Sequence, residues 1–215
     1  MDPRREGLRL ARLYLVCDEQ GDEFLEACLR GGVDLVQLRI KHGTDQAILA
    51  TAERFKRICH AHGAMLIVND RPDLAAAADA DGVHLGQDDV PVATARQIVG
   101  GARLIGLSTH TPDQIDAAAA SGADYIGVGP VNETPTKPGR PAVGHALVEY
   151  AARHAGLPFF AIGGISATNV EEVCAAGARR VAVVRALTDA ADPQGAASAL
   201  RDALTREYEA QLGRA

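Results

Sequence analysis

Short apolar runs of strand length recur along the chain at residues 13–17, 35–39, 65–68, 82–85, 104–107, 125–128, 159–162 and 181–184. Between them lie longer segments at 24–30, 46–60, 73–78, 94–99, 112–120, 146–154 and 169–175. These carry Ala, Leu and Glu or Arg at roughly 3.6-residue spacing, the period of an amphipathic helix. Several end on glycine just before the next apolar run, at Gly31-Gly32, Gly100-Gly101, Gly122 and Gly177. Glycine takes the left-handed backbone of a helix C-terminus without a Cβ clash, so these positions read as helix stops.

About eight strand–helix units in 215 residues predict an α/β fold, a (β/α)8 TIM barrel at the small end of its size range. The rival is an open doubly wound sheet. Strand number and the lack of a glycine-rich turn after the first strand favour closure. No linker or composition shift divides the chain. Residues 1–215 are expected as a single domain, with 1–12 an N-terminal extension and 194–215 a C-terminal helix. The one long irregular stretch, 129–143, holds four prolines and is expected to act as a lid.

Composition removes several classes of function. Lys and Arg number 22 against 28 Asp and Glu, a net charge of −6, with 4% aromatic residues and no Trp. That chain has neither the basic footprint nor the stacking platforms of a nucleic-acid binder. No apolar run approaches the roughly 20 residues of a membrane-spanning helix, and the charged start is unlike a signal segment. A cytoplasmic location with no nucleic-acid or membrane partner is expected; the pattern sets no oligomeric state. Cys17, Cys28, Cys59 and Cys174 are scattered, without metal-binding spacing, and read as small buried hydrophobes.

A barrel places its chemistry just after the strands, because their C-terminal ends share one mouth. The polar residues fall there: Gln37, Arg39 and Lys41; Asn69 and Asp70; Asp88 and Asp89; Ser108 and His110; Thr134, Thr136 and Lys137; Gly163 and Gly164; Arg185. Strand alternation would put Gln37, Arg39 and Lys41 on one face, toward the barrel interior. Buried cations need an anion, so a phosphorylated ligand is expected, with pairing to Asp70 or Asp89 as the alternative. Asp70 and Asp89 follow adjacent strands and suggest Mg²⁺ beside that phosphate; acid–base work and helix capping are the competing readings. Gly163-Gly164 suits a second phosphate held by backbone N–H groups. Two anion sites imply two phosphorylated substrates or one long one. Of the histidines, His110 lies at the mouth, whereas His84 reads as structural.

The segments QLRIK at 37–41, VND at 68–70, DGVHLGQDD at 81–89, GP at 129–130, TPTKP at 134–138 and IGGI at 162–165 carry a joint resemblance. Over about residues 13–193 the chain resembles the thiamine-phosphate synthase family. The resemblance implies a transferase that condenses hydroxymethylpyrimidine diphosphate with thiazole phosphate, giving thiamine phosphate and diphosphate, with Mg²⁺ as cofactor. It implies that Gln37, Arg39, Lys41, Asn69, Ser108 and Lys137 hold the pyrimidine diphosphate, and that Asp70 and Asp89 hold the metal. Thr134, Thr136, Gly164, Val184 and Arg185 would hold the thiazole phosphate. Diphosphate would leave first, stabilised by Arg39, Lys41 and Lys137, and the thiazole nitrogen would trap the resulting cation.

Two positions depart from the family pattern. Asn132-Glu133 stands where an aromatic–proline pair is frequent, and Arg185 where serine is frequent. The related thiazole tautomerases share the barrel but typically have His where this chain has Pro130, and lack the Thr-x-Thr-Lys pattern. A non-catalytic sensor of phosphorylated ligands is the other rival, and it would not need the aspartate pair.

Overall fold

A computed structural model describes residues 2–134 and 141–212. Eight parallel strands close into a barrel: β1 (Leu13–Cys17), β2 (Leu35–Leu38), β3 (Met65–Asn69), β4 (Gly82–Leu85), β5 (Leu104–Thr109), β6 (Tyr125–Val128), β7 (Phe159–Ile162) and β8 (Val181–Val183). Each pairs with its sequence neighbours, and β8 returns to β1 through Leu13↔Val181 and Leu15↔Val183. That pairing excludes the open doubly wound sheet.

Helices connect the strands: α2 (Asp22–Arg30), α3 (Asp45–Ala61), α4 (Pro72–Ala77), α5 (Val92–Val99), α6 (Pro112–Ser121), α7 (Gly144–His154) and α8 (Val170–Ala175). The short α9 (Arg185–Thr188) follows β8, and α10 (Pro193–Leu212) packs against α2 and α8. Thr44 and Thr111 cap α3 and α6 by accepting the N–H groups of Ala47 and Gln114. Gly122 ends α6 with φ +87°, a conformation that a side chain would strain.

Strand alternation sorts the core into two layers. Leu13, Leu15, Val36, Leu38, Val83 and Leu85 face outward and meet the helices. Tyr14, Val16, Leu35, Ile67, Leu104, Tyr125, Phe160 and Ala182 face inward and fill the barrel. Cys17, Cys28, Cys59 and Cys174 are all free and buried, and burial raises every thiol pKa, that of Cys59 to about 12. They are packing groups, as expected.

The N-terminal twelve residues hold a helix that periodicity did not reveal. Helix α1 (Pro3–Leu10) has Asp2 as its N-cap, accepting from Arg4 N–H at 2.9 Å. Arg4 bonds Asp81 at 3.1 Å and Arg5 pairs with Asp124 at 3.0 Å, so the helix is fastened to residues just before β4 and β6. Leu8 joins the inner layer and is 3% exposed. Helix α1 therefore closes the N-terminal end of the barrel, leaving the other end as the mouth.

Candidate active site

A cavity of about 440 Å³ opens at the C-terminal ends of the strands. Of the residues singled out by sequence, Gln37, Arg39, Asn69, Ser108, Thr134, Gly164, Val184 and Arg185 line it. Lys41, Asp70 and Asp89 are not part of the wall; they lie beside it, after Arg39, Asn69 and β4. Thr136 and Lys137, with the centre of the expected lid, lie outside the described residues.

One geometric expectation is corrected. Strand β2 ends at Leu38, so alternation does not extend to Arg39 and Lys41. Gln37 alone of the three is on the strand and buried. Arg39 is half-buried on the cavity wall, and among the described residues its guanidinium meets no partner. Lys41 leaves the barrel interior; its ammonium is 46% exposed and pairs with Asp70. The pairing with Asp70 considered as an alternative is therefore made by Lys41, at the rim and not inside the barrel, and not by Arg39.

Asp70 sits at φ +61°, the left-handed region that Asp and Asn tolerate best among residues with side chains. Its carboxyl lies within hydrogen-bonding reach of the Asp89 carboxyl. Burial pushes the Asp70 pKa up, but hydrogen bonds from Lys41 and the Asp89 carboxyl outweigh it, and the net pKa is lowered. The Asp89 pKa is raised, by burial first and by its neighbour Asp70, against a hydrogen bond from Gly86 N–H at 2.6 Å. Asp89 therefore closes the Gly86–Asp89 turn. It does not cap α5, whose N-cap Pro91 has no side-chain cap bond, so the capping reading fails for it. Two hard carboxylate donors held close together at the rim fit Mg²⁺, which takes one or two carboxylates and completes its shell with phosphate oxygens and water.

Across the cavity, Gly163 (φ +109°) and Gly164 (φ +60°) turn the chain after β7. A Cβ on Gly164 would come within 2.8 Å of Asn132 Cβ and 3.0 Å of Glu133 O. The backbone N–H groups of Gly164, Ile165, Arg185 and Ala186 have no acceptor among the described residues. Arg185 is exposed at this edge and makes no ion pair among the described residues; the alternatives of pairing with Asp189 or Asp192 are not found. Free N–H groups beside a guanidinium are what a phosphate monoester needs.

Three features escaped the sequence reading. Asn132, at the atypical position, clamps the glycine turn. Its N–H reaches Gly163 O at 3.0 Å, and its side-chain amide reaches the carbonyls of Gly163 and Gly164 at 3.3 Å each. His84 is not a remote core residue; it lines the cavity and contacts Ser108 Oγ at 3.0 Å. Tyr14 and Tyr125 join it there. Their inward register was readable, but on one strand an inward tyrosine looks like any other core aromatic. His110 also lines the cavity, with its ring Nδ1 on Gly129 O.

A closed (β/α)8 barrel with its polar residues gathered at the C-terminal mouth is the class of fold that carries its binding sites at that end. The family model for thiamine monophosphate synthase matches residues 13–187. A thiamine-phosphate synthase of a Nostoc species is 54% identical over 192 residues, covering 88% of this chain and 55% of the relative. The one from Saccharopolyspora erythraea is 53% identical over 213 residues, covering 93% of this chain and 96% of the relative. The chain thus spans about half of the first relative and nearly all of the second. The solved thiamine phosphate pyrophosphorylase of Pyrococcus furiosus superposes with a TM-score of 0.85 at 29% identity, over 94% of this chain and 98% of that one. A 3-hexulose-6-phosphate synthase, at 22% identity and TM-score 0.67, shares the fold. The chain belongs to the thiamine monophosphate synthase family.

Proposed function

We propose that the protein condenses 4-amino-5-hydroxymethyl-2-methylpyrimidine diphosphate with 4-methyl-5-hydroxyethylthiazole phosphate, releasing diphosphate and thiamine phosphate. One observation supports this reading above its rivals. A single cavity has cation and carboxylate groups at one rim and free backbone N–H groups at the other, matching one diphosphate and one monophosphate.

In this reading Arg39 and Lys41, with Lys137, take the diphosphate. Thr134, Thr136, Gly164, Val184 and Arg185 take the thiazole phosphate. Gln37, Asn69 and Ser108 orient the pyrimidine. A Mg²⁺ ion held by Asp70 and Asp89 would supply positive charge to the leaving diphosphate. The C–O bond between the pyrimidine methylene and diphosphate breaks, and its electron pair leaves with the oxygen. The thiazole nitrogen lone pair then forms the C–N bond. No proton is transferred, so no general acid or base is required of His84 or His110. The cations stabilise charge as it develops on the leaving group, the largest catalytic term available to such a site.

No helix among the described residues is long and apolar enough to cross a membrane, in keeping with cytoplasmic work on small phosphorylated substrates. The test is diphosphate release from the two substrates with and without Mg²⁺. Release that needs both substrates and the metal is expected. Tautomerisation of a thiazole without condensation would favour the thiazole tautomerase reading. Tight binding without turnover would favour the sensor.

A further inference from the structure

Five side chains form one hydrogen-bonded chain along the cavity wall. Gln37 Nε2 reaches Tyr14 Oη at 2.7 Å, and Tyr14 Oη reaches Tyr125 Oη at 2.9 Å. Tyr125 Oη meets His84 Nδ1 at 3.2 Å, and His84 Nε2 meets Ser108 Oγ at 3.0 Å. All five are buried and all five line the cavity. We propose that this chain holds His84 as its neutral Nε2–H tautomer, so that Gln37 presents an acceptor and Ser108 a donor to a heteroaromatic ligand. The ligand's identity rests on the function proposed above; the tautomer does not.

The direction follows from counting protons. The Gln37 amide nitrogen has no lone pair to accept with, so it donates to Tyr14. Tyr14 carries one hydroxyl proton, and its other partner among the described residues is the Tyr125 oxygen, which therefore accepts it. The Tyr125 proton is left for His84 Nδ1, which must be bare. Nε2 then carries the imidazole proton and donates it to Ser108 Oγ. The Ser108 hydroxyl proton is free to face the cavity, as is the Gln37 carbonyl oxygen.

The opposite arrangement would need the Gln37 amide turned over, its oxygen accepting from Tyr14 and its NH2 facing the cavity; with the amide nitrogen on Tyr14, it fails. A proton on Nδ1, in the other tautomer or in imidazolium, would donate to Tyr125 while Gln37 donates to Tyr14. Two phenol protons would then share one acceptor position, and one would be stranded in the interior. Neither phenol can shed its proton, because burial holds both pKa values far above the ordinary tyrosine value. The fold also makes room for the chain: a Cβ on Gly106 would collide with both Tyr125 and His84.

An aminopyrimidine edge offers an exocyclic N–H and a bare ring nitrogen, the complements of the Gln37 oxygen and the Ser108 hydroxyl. A 4-oxopyrimidine offers the reverse, a carbonyl and a ring N–H, and meets like functions on both sides. His84 is thus a positioning residue that acts through Ser108, and Tyr14 and Tyr125 set its tautomer.

Two measurements test this. In ¹⁵N-histidine NMR of the substrate-free protein, His84, assigned by signal loss in His84→Gln, should show a bare Nδ1 and a protonated Nε2. Protonated Nδ1 would overturn the proposal whatever the activity. Tyr125→Phe keeps the ring packing and cuts the chain. It should raise the aminopyrimidine diphosphate KM about tenfold, leave the thiazole phosphate KM alone, and shrink a preference of at least about a hundredfold over the 4-oxo analogue to about tenfold. An unchanged preference would also overturn it. Absence of condensation by the wild-type protein would defeat the proposed function, while the tautomer measurement still decides this one.

Discussion

Lys41 pairs with Asp70 at the rim of the cavity, and Asp70 in turn meets the Asp89 carboxyl, so one cation serves two mutually repelling acids. A divalent ion held by the two carboxylates would compete with Lys41 and free its ammonium for the diphosphate. Lys41→Gln should therefore bind Mg²⁺ more tightly by calorimetry, while condensation slows by about a hundredfold from the lost charge at the leaving group. Weaker metal binding in this variant would place Lys41 outside that competition.

Asp70→Asn and Asp89→Asn should each remove most of the turnover and leave the fold intact. Asn tolerates the left-handed backbone at residue 70, and Asn at 89 keeps a carbonyl for Gly86 N–H. In the wild type, Mg²⁺ with diphosphate should raise Tm by linkage, and either variant should lose that rise. Near-normal activity at low Mg²⁺ in either variant would remove the metal from this pair.

The strands and the mouth residues were legible in sequence because a buried parallel barrel needs near-continuous apolar runs, and the polar residue after each run has one place to go. What was not legible depends on relations between strands. The pairing of β2 with β1 and β3 ends at Leu38, and no residue type marks that point. Tyr14, His84 and Tyr125 become a polar chain only when β1, β4 and β6 meet across the barrel. Helix α1 was missed because half of its sequence, PRREGLRL, is charged. Its anchors, Asp81 and Asp124, lie far along the chain.

Gly164→Ala tests the glycine turn. A Cβ there meets Asn132 and Glu133 at sub-contact distance, and φ +60° adds backbone strain of about 1–2 kcal/mol. A Tm fall of roughly 2–8 °C is expected from that strain, given about 2–4 °C per kcal/mol for a chain of this size. The thiazole phosphate KM should rise with it. Unaltered KM would show that the N–H groups here do not hold that phosphate.

Leu8→Ala separates the closed end of the barrel from the mouth. Removing a buried leucine costs roughly 2–5 kcal/mol, so Tm should drop by about 4–20 °C. Both substrate KM values should stay at wild-type level below the melting range. A change in either KM at an unaltered Tm would mean that α1 communicates with the site.

Arg185 stands at the edge of the cavity without an ion pair among the described residues, beside backbone N–H groups that any residue at this position would supply. A serine here would supply the same backbone N–H group, so in the proposed site the guanidinium is an addition to the backbone contacts. Arg185→Ser should raise the thiazole phosphate KM and leave the pyrimidine diphosphate KM unchanged. A charge-assisted hydrogen bond contributes about 1.5–3 kcal/mol, which corresponds to roughly a ten- to hundredfold rise. Higher salt should narrow the gap between the two proteins, because an exposed guanidinium is screened and backbone N–H groups are not. An unchanged KM at low salt would mean that the side chain stays in solvent and the backbone alone holds the phosphate.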